Sequence, residues 1–173
     1  MVWNGWAGIR HVLCDVDGVL TAGSLIYDAD GEQRKVFHAR DGHMIRVALR
    51  CGIGVGLVSG RRCAALENRA VDLGLAPCLI GVRDKQAEVE RFLADTDLDW
   101  TALAFIGDDL PDLPVMARVG CPVAVADGHP RVRQRACWVS PLPGGQGAVA
   151  AFLETLLRRT GRWRVEDWGT IHG

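Results

Sequence analysis

The sequence lacks the features that would indicate a zinc site or a membrane segment. None of its six cysteines forms a C-x-x-C pair, so a zinc knuckle is disfavoured. No apolar run approaches the ~18 residues of a membrane-spanning helix, and the first residues do not form a basic segment followed by an apolar one. We therefore expect a cytoplasmic protein with reduced thiols and no membrane partner.

An excess of charge of one sign is also missing. The chain carries 20 Lys and Arg against 21 Asp and Glu, a formal net charge of −1. This balance excludes the basic surface of a general nucleic-acid binder, so no nucleic-acid partner is expected. The chain has 18 arginines and 2 lysines. This excess of arginine is more typical of a bias in genome composition than of a binding function, and it identifies no ligand.

The remaining composition is that of one globular domain. At 173 residues and 49% hydrophobic content, the chain buries a core without metal or disulfide support. Short apolar segments alternate with helical patterns, which predicts an α/β fold with a Rossmann-like, doubly wound parallel sheet. Predicted strands lie at residues 9–14, 53–58, 78–80, 102–106, 122–126 and 137–139, and predicted helices at 42–50, 62–73, 85–94 and 147–159.

One segment departs from the alternation of strand and helix. Residues 24–27 and 33–38 read as two strands around an acidic turn that contains Gly31, which predicts a β-hairpin. We expect a domain over residues 1–159 with this hairpin inserted at about 23–38. Residues 160–173 form a predicted C-terminal tail.

Reactive side chains follow four of the predicted strands. In open α/β sheets the carboxyl ends of the strands meet at one edge, where ligands bind. Five carboxylates crowded there would repel one another without a cation, and oxygen ligands favour Mg²⁺. In chain order, the predicted cluster consists of Asp15, Asp17, Ser59, Lys85, Asp108, Asp109 and Asp112.

Phosphoryl transfer requires a nucleophile, a proton donor and neutralised charge. Asp15, at a strand end, is the candidate nucleophile that forms an aspartyl-phosphate. Asp17 is the candidate general acid and base. Ser59 and the backbone N–H groups around Gly60 are placed to bind a phosphate oxygen, and Lys85 is placed to hold Asp15 and the phosphoryl group together.

The metal ligands come from the same strand ends. Asp108 is the candidate direct ligand beside Asp15. Asp109 and Asp112 are not expected to contact the metal themselves but to hold the residues that do.

This ordered set resembles the haloacid dehalogenase superfamily of phosphohydrolases over nearly the whole chain. The D-x-D-G-V-L-T at residues 15–21, the S-G-R at 59–61, Lys85 and the G-D-D-x-x-D at 107–112 match its four motifs in order. The resemblance implies that Mg²⁺ is bound by Asp15, Asp108 and the backbone carbonyl of Asp17. Similar transport ATPases carry Thr where this chain has Asp17, so the resemblance favours a phosphatase.

Spacing selects a branch of the superfamily. Only 41 residues separate Asp17 from Ser59, and only 25 separate Ser59 from Lys85, so neither interval holds a cap domain. The chain resembles the capless branch that includes 3-deoxy-D-manno-octulosonate 8-phosphate phosphatases. In those relatives the hairpins of four chains form a central barrel and a tail can reach a neighbouring site, which implies a homotetramer. The resemblance also implies a place in lipopolysaccharide biosynthesis.

The expected substrate is a small sugar phosphate. Relatives that act on nine-carbon keto-sugar acid phosphates tend to carry Glu in place of Arg61 and Lys in place of Asp72, so the eight-carbon acid is favoured here. A sugar carboxylate needs a cationic partner, for which Arg61 and Arg69 are candidates. Arg40, in an R-D-G segment that also matches these relatives, joins Gly60 in the predicted substrate-binding set.

Three alternatives stay open on the sequence. The substrate could be a nine-carbon acid 9-phosphate. The chain could also be a non-catalytic tetramerisation module, similar to domains fused to nucleotide-sugar synthetases. A receiver-like signalling domain uses a related acidic cluster with Mg²⁺, although it would place its phosphoacceptor after a middle strand, where this chain has Ser59.

Overall fold

The protein forms a six-stranded parallel sheet covered by helices on both faces. The structure, a computed structural model, describes residues 5–163. The strand order is β5-β4-β1-β6-β7-β8, with all five neighbouring pairs parallel. The strands of this sheet are β1 (His11–Cys14), β4 (Gly54–Ser59), β5 (Cys78–Ile80), β6 (Leu103–Gly107), β7 (Cys121–Ala124) and β8 (Trp138–Val139).

Helices follow the strands along the chain and cover both faces of the sheet. The described helices are α1 (Ala39–Arg50), α2 (Ala64–Leu73), α3 (Lys85–Ala94), α4 (Leu113–Met116), α5 (Pro130–Arg135) and α6 (Ala148–Arg159). Helices α1, α2 and α6 cover one face of the sheet, and α3, α4 and α5 cover the other. The predicted doubly wound α/β fold without a cap domain is confirmed. No helix within residues 5–163 has the length and apolar character to cross a membrane.

The central strands are buried on both faces, which explains why they read as continuous apolar runs. Along β1, Val12 packs against the face covered by α1 and α6, while Leu13 packs against α3 and α4. Phe152 on α6 is fully buried and lies beside the rings of Trp6 and Trp138.

The helices differ from the predictions mainly at their starts. Helix α1 begins at Ala39 rather than at Gly42, because the His38 side chain accepts a hydrogen bond from the Arg40 N–H and caps the first turn. Helices α4 and α5 were not predicted. They have four and six residues, too few for a helical period to emerge from the sequence.

The predicted hairpin is present, with shorter strands than expected. Strands β2 (Ile26–Tyr27) and β3 (Gln33–Arg34) pair antiparallel as a separate two-stranded sheet. The Asp28 carboxylate accepts hydrogen bonds from the backbone N–H groups of Asp30 and Glu32 and so holds the turn. Of the predicted tail, residues 164–173 lie outside the described residues, so the domain boundary stays a prediction.

Truncating the largest buried ring on α6 should destabilise the fold. We expect Phe152→Ala to lower the free energy of unfolding by about 3–5 kcal/mol, because it removes a buried aromatic side chain and leaves a cavity. Chemical denaturation followed by circular dichroism measures this change. Val71→Ala is the matched control, since the Val71 side chain is exposed. An equal effect of the two substitutions would contradict the packing described here.

Candidate active site

The site lies at the carboxyl end of the sheet, where β1 and β6 run side by side. Asp15 directly follows β1, and its N–H donates a hydrogen bond to the carbonyl of Ile106 at 2.9 Å. Asp108 directly follows β6. Because the two parallel strands end at the same level, the two aspartates are brought to one edge, as predicted.

Three carboxylates meet at this edge. Oxygen atoms of Asp15, Asp108 and Asp112 lie within 4.8 Å of one another. The Lys85 ammonium, on the first residue of α3, bridges two of them at 2.8 Å from Asp15 Oδ1 and 2.7 Å from Asp112 Oδ1. A single ammonium group therefore offsets the charge of three clustered carboxylates, of which it contacts two.

This crowding shifts the protonation of the cluster. Burial, reinforced by the charge of Asp112, raises the pKa of Asp15 to about 6, although Lys85 opposes the shift. Burial, together with the charges of Asp15 and Asp112, raises the pKa of Asp108 to about 8. The pKa of Lys85 is raised as well: its burial favours the neutral amine, but the two carboxylates outweigh that effect. The cluster is thus short of positive charge.

The donor set fits a hard divalent cation. Asp108 Oδ1 is buried and has no hydrogen-bond partner, which is costly for a carboxylate oxygen unless a cation binds it. Space is kept for this side chain by Gly18, which has a φ of +93° and where an added Cβ would lie 2.1 Å from Asp108 Oδ2. Carboxylate and carbonyl oxygens at such a site suit Mg²⁺. Asp15 and Asp108 could hold it.

Asp112 and Asp109 act on the loop that carries Asp108. Asp112 Oδ2 accepts hydrogen bonds from the N–H groups of Asp108 at 2.9 Å and Asp109 at 3.3 Å. The Asp109 side chain is exposed and accepts from the Leu110 N–H, capping the short turn that follows. Asp112 therefore fixes the position of Asp108, while Asp109 stabilises the turn.

The end of β4 forms a candidate anion-binding corner. Ser59 is its last residue, and its buried Oγ accepts a hydrogen bond from the Arg61 N–H at 3.2 Å. Gly60 follows and lines an open groove together with Lys85 and Pro111. Backbone N–H groups next to a hydroxyl, ahead of helix α2, are suited to bind an anion.

Asp17 is bound by two cations from different parts of the chain. Lys35, just after β3 of the hairpin, forms an ion pair with Asp17 Oδ1, and Arg61 Nε lies 3.7 Å from Asp17 Oδ2. Sequence reasoning missed Lys35. Its one signal was composition, because Lys35 and Lys85 are the two lysines of the chain.

Two of the predicted substrate-binding arginines do not contact the acidic cluster of Asp15, Asp108 and Asp112. Arg69 forms an ion pair with Asp72 at 2.8 Å and lies over the Phe37 ring. Arg40 is exposed on the first turn of α1. Among residues 5–163, no hydrogen bond or ion pair joins either side chain to the acidic cluster. Their binding role stays a prediction, whereas Arg61 is adjacent to Asp17.

Gly144 and Gly145 pack against the backbone of the loop that follows β1. A Cβ on Gly144 would lie 1.7 Å from the carbonyl oxygen of Gly18, and the Gly145 N–H donates to the Val19 carbonyl at 2.9 Å. The Gly144 N–H in turn donates to Asp127 Oδ1. The close approach of these two backbones requires glycine.

Comparison with known proteins agrees with this geometry. A family model described as haloacid dehalogenase-like hydrolase matches residues 81–153. A 3-deoxy-D-manno-octulosonate 8-phosphate phosphatase of Yersinia pestis is 42% identical over 151 residues, which cover 87% of this chain and 81% of the relative. The chain belongs to the haloacid dehalogenase-like hydrolases. The predicted superfamily is confirmed, and the receiver-like alternative is wrong.

Solved haloacid dehalogenase-like structures share the whole fold. A probable YrbI family phosphatase of Pseudomonas syringae superimposes with a TM-score of 0.92 at 36% identity, covering 99% of this chain and 97% of the other. A 3-deoxy-D-manno-octulosonate 8-phosphate phosphatase of Moraxella catarrhalis, solved with a magnesium ion, a phosphate ion and KDO, gives 0.88 at 29% identity, with coverages of 92% and 91%.

The raised carboxyl pKa values predict how stability depends on pH without metal. Asp15 and Asp108 keep protons in the folded state up to about pH 6 and 8, whereas in the unfolded chain they lose them near 3.8. Stability should therefore fall as pH rises through this range. In EDTA, we expect the Tm of the wild type to fall by about 4 °C or more between about pH 5 and 8 relative to Asp108→Asn.

Comparing the wild type with Asp108→Asn removes the contribution that other titrating groups make to the pH dependence of the Tm. Burial lowers the pKa of His11 to about 4, and this group affects both proteins alike. Adding Mg²⁺ should raise the Tm of the wild type and leave that of the variant unchanged, because the variant lacks a carboxylate ligand. Parallel Tm profiles for the two proteins in EDTA would contradict the charge repulsion inferred for the cluster.

Proposed function

We propose that the protein is a Mg²⁺-dependent phosphatase that hydrolyses 3-deoxy-D-manno-octulosonate 8-phosphate through an aspartyl-phosphate intermediate. The observation that carries this proposal is the cluster of Asp15, Asp108 and Asp112 around Lys85, with Asp17 two residues beyond the nucleophile. The Moraxella catarrhalis relative, solved with a magnesium ion, a phosphate ion and KDO, supports both the metal and the eight-carbon acid.

Each residue of the cluster has a place in the reaction. Asp15 attacks phosphorus, and the bond to the sugar oxygen breaks as Asp17 gives that oxygen a proton. Ser59 Oγ and the N–H groups after it bind a phosphoryl oxygen, and Lys85 holds Asp15 in line. Asp17 then takes a proton from the water that attacks the aspartyl-phosphate, which regenerates Asp15 and releases phosphate.

The metal belongs beside the nucleophile. We assign Mg²⁺ to Asp15, Asp108 and the backbone carbonyl of Asp17, with Asp112 holding Asp108 and Asp109 capping the adjacent turn. When bound, Mg²⁺ supplies positive charge that offsets the carboxylates and the phosphoryl oxygens. This additional charge is what the pKa values of Asp15 and Asp108 indicate to be missing.

The rim of the site supports an acidic sugar as substrate. Arg61 is half-exposed beside Asp17, where its guanidinium can bind a sugar carboxylate in a bidentate manner. We assign Arg61 to this contact, with Gly60 at the groove, and place Arg40 and Arg69 farther out as weaker contributors. The substrate ties the enzyme to lipopolysaccharide biosynthesis, and the six free thiols fit a cytoplasmic location.

A substrate panel tests the activity and its specificity. Phosphate release is measured with Mg²⁺ for 3-deoxy-D-manno-octulosonate 8-phosphate, a nine-carbon keto-sugar acid 9-phosphate and glucose 6-phosphate. We expect the eight-carbon acid to have the highest kcat/KM, and EDTA to abolish turnover. Asp15→Asn should lower kcat by at least about 10⁴-fold, because an amide is a poor nucleophile and a poor metal ligand.

The controls separate the alternatives. Circular dichroism and the Tm of Asp15→Asn establish that its fold is intact. Preference for the nine-carbon acid would replace the proposed substrate. A stable tetramer without turnover of any phosphate ester would support the non-catalytic module, and activity retained in Asp15→Asn would contradict the mechanism.

We also propose that four copies assemble through the hairpin. Half of the exposed large hydrophobic side chains among residues 5–163 belong to this one segment: Leu25, Ile26, Tyr27 and Val36. Such a concentration of apolar side chains on a protruding element is typical of an interface. A homotetramer built on it would cover these side chains.

Charge placed on the hairpin should break the tetramer. We expect Ile26→Glu combined with Val36→Glu to reduce the mass measured by light scattering from four chains to one or two, because eight buried carboxylates would repel one another. Val71→Glu, on an exposed position of α2, is the control and should leave the mass unchanged. A tetramer that survives the double substitution would exclude the hairpin as the interface.

A further inference from the structure

Both lysines of the chain form ion pairs with carboxylates of the candidate active site. Lys85 bridges Asp15 and Asp112, and Lys35 pairs with Asp17. Their side chains are 10% and 2% exposed. The other 18 basic residues of the chain are arginines, and each of its two lysines has its ammonium enclosed against carboxylates of the candidate site.

The hairpin directs Lys35 toward the site. Side chains alternate along an extended segment, and here Arg34 and Val36 point outward while Lys35 and Phe37 point inward. Phe37 packs against the hydrophobic core on the α1 side of the sheet. This anchor fixes the segment and places the Lys35 ammonium over Asp17 Oδ1.

The two cations that contact Asp17 are not equivalent. Arg61 lies at 3.7 Å from Asp17 with a half-exposed side chain, so it can leave Asp17 and bind the substrate. Lys35 is enclosed and in close contact. Because a planar guanidinium is larger than an ammonium, we expect an arginine at this enclosed position to disturb the contact with Asp17.

We propose that Lys35 is a positioning residue that holds the Asp17 carboxylate toward the leaving oxygen in the first step and toward the attacking water in the second. This role rests on the proposed function, in which Asp17 transfers protons in both steps. Lys35 acts only through the ion pair. The hairpin therefore contributes to catalysis within its own chain, apart from any role in assembly.

Two substrates with different leaving groups test this role. A sugar alkoxide needs a proton from Asp17 to depart, whereas p-nitrophenolate departs without one. For Lys35→Met we expect kcat/KM to fall about 100-fold for 3-deoxy-D-manno-octulosonate 8-phosphate and less than about fivefold for p-nitrophenyl phosphate. Lys35→Arg should not restore the loss. Arg34→Met, on the neighbouring exposed residue, should leave both values unchanged.

Hydrolysis of the aspartyl-phosphate, the second step, can be followed separately by pre-steady-state kinetics. With Asp17 misplaced, water attack on the aspartyl-phosphate becomes slow, so Lys35→Met should release a burst of about one nitrophenolate per active site before the steady state. The wild type and Arg34→Met should show no such burst. Light scattering on each variant keeps an effect of assembly apart from an effect on the site.

Other outcomes would overturn the role. Equal losses on both substrates without a burst would mean that Lys35 only supports the hairpin. A raised KM for the sugar phosphate at unchanged kcat would make Lys35 a substrate-binding residue instead. The proposed function is checked separately, by wild-type turnover of 3-deoxy-D-manno-octulosonate 8-phosphate that Asp15→Asn loses; without that turnover, both proposals fail.

Discussion

The repulsion among Asp15, Asp108 and Asp112 is the constraint on which the rest of the site depends. Parallel strands β1 and β6 end at one level, so their first loop residues must share a small volume. Lys85 offsets part of the negative charge, but burial and the neighbouring carboxylates still raise the pKa values of Asp15 and Asp108. The fold therefore holds an excess of negative charge that a divalent cation can relieve.

Backbone contacts hold these carboxylates close together, because they fix the loops that carry Asp15 and Asp108. Asp112 binds two successive N–H groups of the loop that carries Asp108, so this loop cannot withdraw its carboxylate. On the other side, Gly18 lets the loop after β1 approach Asp108 closely, and Gly144 lies against Gly18 in the same way. A larger residue at Gly18 would push apart the two loops that carry the candidate metal ligands, and a larger residue at Gly144 would displace the loop after β1.

The sequence was sufficient to predict the sheet and most of the site because both depend on strand ends. Continuous apolar runs mark buried parallel strands, and the residues that follow such runs meet at one edge whatever the helices do. Helix starts were less predictable, since the side-chain cap of α1 by His38 depends on local geometry. Lys35 was missed for a related reason. Its partner, Asp17, is set by how the hairpin docks, which no periodic pattern encodes. Arg69 and Asp72, by contrast, lie three residues apart on α2, so their ion pair follows the helical spacing.

The side chains divide the site into a fixed part and an adaptable part. Asp15, Ser59 and Asp112 are buried, and each is held by backbone or by Lys85. Arg61 is half-exposed at the rim and can exchange Asp17 for a ligand. The hairpin joins the two parts, because its inward face carries Lys35 to Asp17 while its outward face presents exposed apolar side chains. Docking of the hairpin therefore couples the proposed tetramer to the position of Asp17: a change that tilts this segment moves the Lys35 ammonium even when every residue of the acidic cluster stays in place.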